Sequence, residues 1–116
     1  MEEQLQKALD FAHYRQSFSI QRKTLKEKNE ANLTYGFSGG IFKINQTLIT
    51  FVQMLIDRGR INGIPLIDAN ENPILVDDLE KFRDEILDRY FTSTLEYYEQ
   101  YNNLKKSRTV EKLLDI

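Results

Sequence analysis

At 116 residues and 13.7 kDa, with 41% apolar and 29% charged residues, the chain has the size and balance of a single folded domain rather than a disordered or fibrous one. A net charge of −2 gives no global attraction to nucleic acid or acidic lipid. The lack of cysteine excludes disulfides, thiolate metal sites and a cysteine nucleophile.

The N-terminus, Met1-Glu2-Glu3-Gln4, lacks the basic start and apolar run of a signal peptide. No apolar run approaches the ~18 residues of a membrane span. An intracellular protein with no membrane partner is the expectation.

From Glu2 to about Asn32 there is no proline or glycine, and the apolar residues keep a helical spacing. Leu5, Ala8, Leu9 and Ala12 form one stripe, with Phe11, Phe18 and Leu25 recurring every seven residues beside it. The second half is basic, with Arg15, Arg22, Lys23, Lys26 and Lys28. His13, the single histidine, reads as a structural residue at the edge of the core, since a catalytic histidine needs partners that this chain lacks. Gly36, Gly39 and Gly40 then break the helix and predict a hinge over 36–40.

A second helix is expected from about Asn45, a suitable N-cap, to Arg58, with Gly59 as the left-handed residue that closes it. Its apolar residues, Ile44, Leu48, Phe51, Val52 and Leu55, widened by Ile49, Met54 and Ile56, cover most of its sides. That predicts a buried helix at the centre of the core. Residues 61–76 lose the helical period. Two apolar runs around Asp68-Ala69-Asn70-Glu71-Asn72 predict a β-hairpin with Ile64, Leu66, Ile74 and Val76 facing inward. The Asp-x-Asn-x-Asn pattern is also how a calcium loop of the EF-hand type begins. Pro73 and Leu79 stand where that loop needs its glycine and its bidentate glutamate, so turn chemistry explains the residues.

The third helix opens on an Asp77-x-x-Glu80 capping box and keeps its period to about Lys105. A short last helix, Arg108 to Asp115, follows behind Ser107, with Val110, Leu113 and Leu114 on one side. The fold class is mainly α within α+β, as one domain over 1–116. It consists of two long antiparallel helices, the buried central helix, a small hairpin and the short C-terminal helix. Antiparallel packing would set basic Arg15–Lys28 against acidic Asp77–Asp88.

No phosphate loop, complete metal loop or catalytic triad is present, so a non-enzymatic role without cofactor or metal is expected. Two interaction surfaces remain. Tyr97, Tyr98, Tyr101, Val110, Leu113 and Leu114 suit docking onto other protein chains, as a homo-oligomer or in a larger complex. Arg22, Lys23, Lys26, Lys105, Lys106 and Arg108, close to stacking rings, are the alternative, a nucleic-acid contact; a polymerase-associated accessory protein would be of this kind. The net acidic charge and neighbouring carboxylates rank it second.

The runs Gly39-Gly-Ile-Phe-Lys-Ile-Asn45 and Leu66-Ile-Asp-Ala-Asn-Glu-Asn-Pro-Ile74, with the Tyr97-Tyr98, Tyr101 and Lys105-Lys106-Ser-Arg-Thr-Val110 tail, resemble small accessory proteins of large contractile-tailed phages. The resemblance spans most of the chain. It implies a particle component or assembly factor, in the virion or the host cytoplasm, and assigns no residue a role.

Overall fold

The computed structural model describes residues 2–114, with side chains to Ser107. It is mainly helical. In chain order the elements are α1 (Glu2–Asn32), β1 (Thr34–Phe37), β2 (Gly40–Lys43), α2 (Gln46–Asp57), β3 (Asn62–Ile67), β4 (Pro73–Asp78) and α3 (Leu79–Leu114). They form two compact units. One comprises Met1–Lys28 with Glu96–Ile116, and the other Asn29–Leu95.

The expected glycine hinge is a β-hairpin. β1 and β2 pair antiparallel, Tyr35 opposite Phe42 and Phe37 opposite Gly40. The connection has two residues, Ser38 at φ 49° and Gly39 at φ 83°. Positive φ at both positions belongs to the tight turns whose twist matches that of paired strands. The glycines therefore serve a turn and a close approach, not a pivot. Gly40 provides the approach, because a Cβ there would lie 2.5 Å from Cγ1 of Ile74 and 3.2 Å from Oδ2 of Asp68. Gly40→Ala is expected to cost about 1–3 kcal/mol by overpacking, read as a lower urea midpoint.

α2 begins and ends as its sequence requires. The Asn45 side chain accepts the Leu48 N–H at 2.8 Å. At the other end Gly59, at φ 78°, donates to Ile56 O while Arg60 donates to Leu55 O, both at 2.9 Å, a Schellman closure. The helix is not buried on most sides, however. Val52 is fully buried and Leu48, Ile49, Leu55 and Ile56 half-buried, but Phe51 and Met54 are exposed. Within Asn29–Leu95 its neighbours are two hairpins and part of α3, too few to surround it. Gln46 Nε2 donates to the Tyr90 hydroxyl at 3.0 Å, and Arg83 Nη1 donates to Gln53 Oε1 at 3.1 Å, so α2 lies along α3.

The second hairpin follows expectation. Ile64 is paired with Val76 and Leu66 with Ile74. Leu66 and Val76 are buried, while Ile64 and Ile74 pack against the core. α3 starts one residue later than expected, because β4 continues through Asp78. Asp78, rather than Asp77, caps the helix by accepting the Lys81 N–H at 3.1 Å. From there Leu79, Phe82 and Ile86 turn one face into the core, joined by Leu33, Phe42, Ile44, Val52, Leu66 and Val76. Phe82 is its hub, with ring centroids at 5.2 Å from Phe37, 5.3 Å from Phe42 and 6.1 Å from Tyr35.

One further expectation is corrected. α3 continues through Ser107 to Leu114, with no separate short C-terminal helix. The 105–108 segment carries no glycine or proline, and a serine alone does not end a helix that good helix formers continue. Lys28 meets Glu96 at 3.1 Å, whereas Asp84 and Glu85 pair with Arg83 and Arg89 of their own helix, at 3.0 and 2.7 Å.

Candidate functional site

The helical unit carries most of the residues singled out in the sequence. α1 has no buried residue over its 31 positions. Tyr14, Ser17, Phe18 and Leu25 are half-buried, whereas Leu5 (62% exposed), Leu9, Phe11 and Ile20 stand in solvent. Arg15 lies over the Phe11 ring at 5.9 Å, and Phe11 stacks beside Tyr14 at 6.5 Å. His13 is exposed on this helix rather than at a core edge.

On α3, Tyr97 and Tyr101 are half-buried and Tyr98 is 62% exposed. The docking set is thus mixed, two rings partly used by the fold and one free to meet a partner. The side chains of Arg108, Val110, Leu113 and Leu114 lie outside the described residues. Among the cations, Arg22, Lys23, Lys26, Lys105 and Lys106 are all exposed. Lys23 approaches Glu27 at 4.0 Å, and Lys105 lies 5.6 Å from the Tyr101 ring centroid.

Asp68 organises its own turn through backbone hydrogen bonds. Its Oδ2 accepts the Ile41 N–H at 3.0 Å, and its Oδ1 accepts the N–H groups of Asn70 and Asn72, each at 2.9 Å. Ala69 N–H donates to Ile41 O at 2.7 Å, so the loop of one hairpin is fastened to the edge of the other. The Ile41 N–H chiefly, then that of Asn72, hold the Asp68 carboxyl below the usual carboxylate range against the opposing effect of burial, with a smaller contribution from Asn70. Both oxygens are engaged by backbone donors. No group of three or more histidine or acidic side chains placed to hold a metal occurs among the described residues.

What the sequence did not suggest is a cleft of about 330 Å³ in the Asn29–Leu95 unit. Its floor is aromatic (Tyr35, Phe37 and Phe82) and its rim carries Asp77, Asp78, Glu85 and Lys81, with Ser38 and Leu75 closing it. The alternation Tyr35-Gly-Phe37 before a two-residue turn is the signal the sequence carries, masked by the surrounding glycines. A second, shallower groove between α2 and α3 is lined by Ile49, Thr50, Gln53, Met54, Asp57, Arg58 and Leu87.

No protein-family model, curated protein or solved structure matches this chain. No described helix is long and apolar enough to cross a membrane.

Proposed function

We propose that the chain is a non-enzymatic protein–protein interaction or assembly element, and, from the resemblance drawn above, a phage particle component or assembly factor. The supporting observation is α1, a 31-residue helix with no buried residue and with Leu5, Leu9, Phe11 and Ile20 in solvent. Most helical stability in proteins comes from packing an apolar face, and the side of α1 that carries Leu5, Leu9 and Ile20 stands uncovered. A second copy or another protein supplies the cover.

Light scattering is expected to give a mass that is a multiple of 13.7 kDa and falls on dilution. Changing Leu5 and Leu9 together to glutamate should weaken association about tenfold or more, since each leucine forfeits roughly 1.5–3 kcal/mol of burial. A strict monomer that also binds no protein partner sinks the proposal.

The exposure of Arg22, Lys23, Lys26, Lys105 and Lys106 supports the rival, a nucleic-acid contact. It requires DNA binding that weakens with salt and is lost when Lys23, Lys26, Lys105 and Lys106 become glutamate.

A further inference from the structure

The cleft over Phe82 has a chemistry that the long helices do not share. Three aromatic rings form its floor, and three carboxylates against one ammonium line its rim. Ring faces carry negative potential, so an aromatic floor under carboxylates favours a cation that can stack. The molecule holds one example on the same wall. The Arg89 guanidinium lies 4.4 Å from the Tyr35 ring centroid, and its Nε donates to Glu85 Oε1 at 2.7 Å.

At the other end of the rim the carboxylates are differently engaged. Asp78 caps α3 through the Lys81 N–H, while Asp77 has no cationic partner among the described residues. Asp77 is exposed, and Tyr35 and Phe37 are half-buried and line the cleft. Its volume, about 330 Å³, sits at the small end of ligand pockets, which run to roughly 1,000 Å³, and suits one side chain better than a cofactor.

We propose that this cleft receives an arginine side chain presented by a partner protein, its guanidinium stacked on Phe37 beside the Arg89-covered Tyr35 ring and forked to Asp77. Arginine fits better than lysine because a planar, weakly hydrated guanidinium both stacks on rings and pairs with carboxylates through parallel N–H donors. The site lies wholly within Asn29–Leu95, so it stands whether or not the α1 face is an assembly surface.

The test is a nuclear magnetic resonance titration of the full-length, isotope-labelled protein at low salt with the capped tripeptide Ala-Arg-Ala. Parallel titrations replace the arginine by lysine or by citrulline, its neutral near-isostere. The arginine peptide is expected to shift the resonances of Tyr35, Phe37, Ser38, Leu75 and Lys81, with lysine weaker and citrulline weaker by about fivefold or more. Asp77→Asn, an exposed substitution, should weaken the arginine peptide several-fold while the resonances of Val52 and Ile86 stay in place. Equal binding of arginine and citrulline peptides, shifts confined to other surfaces, or no saturable shift would each overturn the assignment. The arginine–citrulline comparison uses the unaltered protein and does not depend on how any variant folds.

Discussion

Phe82→Ala is expected to destabilise the Asn29–Leu95 unit by about 3–5 kcal/mol, the usual cost of emptying a buried phenylalanine site. Phe82 is 2% exposed and stands within ring contact of Tyr35, Phe37 and Phe42, so its loss leaves a cavity bordered by both strands of the first hairpin. The surrounding rings are fixed to a two-stranded ribbon that has little independent stability and cannot collapse neatly into the space. Against a typical total of about 5–15 kcal/mol, that loss is a large fraction of the margin. Urea unfolding followed by circular dichroism checks it. Phe82→Leu should cost only about 1–2 kcal/mol because most of the volume remains. Phe91→Ala, on the exposed side of α3, should stay within about 0.5 kcal/mol. Equal effects of Phe82→Ala and Phe91→Ala would contradict the core assignment.

Asp68→Asn should bring the largest loss among polar substitutions, and that loss should depend on pH. The carboxylate accepts three backbone N–H groups from two separate segments, Ile41 and the pair Asn70 and Asn72. An asparagine has one accepting oxygen, so its NH₂ group must face a backbone donor and leave it unsatisfied. Because the folded-state pKa is depressed, the stabilisation from Asp68 is fully present above the pKa of the unfolded carboxyl. It is lost progressively as pH falls through that value towards the lower folded one. Wild type should therefore exceed Asp68→Asn most clearly at neutral pH, and the gap should narrow on acidification. A gap that is constant from neutral to strongly acidic pH would remove the charge-assisted clip from the account.

Both predictions concern contacts invisible to local pattern. Asp68, Asn70 and Asn72 were legible as turn formers, and two of the three bonds to Asp68 are that turn. The third, from Ile41, crosses 27 positions of sequence and was not legible. Likewise Tyr35 and Phe37 alternate as strand residues do, but the glycines around them mask that signal, and only the pairing with Phe42 and Gly40 reveals a strand. The arginine cleft depends on the same pairing, since β1 holds two of its three rings. The docking tyrosines were readable as residues but not as a surface, because helical spacing does not say which of Tyr97, Tyr98 and Tyr101 the fold consumes.

The sequence by itself determined the mainly helical class, the extent of α1, the Asn45 cap and Gly59 closure of α2, and the inward residues of the second hairpin. Each follows from spacing within a few residues: a helical or two-residue period, a side chain reaching a backbone N–H three positions on, a glycine free to take positive φ. Only the tertiary structure decided that the glycine segment is itself a hairpin, the first of two, that Asp68 in the loop of the second joins them, and that α2 is covered on one side. It also decided that Lys28 meets Glu96 and that Leu5 and Leu9 of α1 stand in water. Those outcomes depend on which distant segments meet, and a period along the chain carries no record of its neighbours across it.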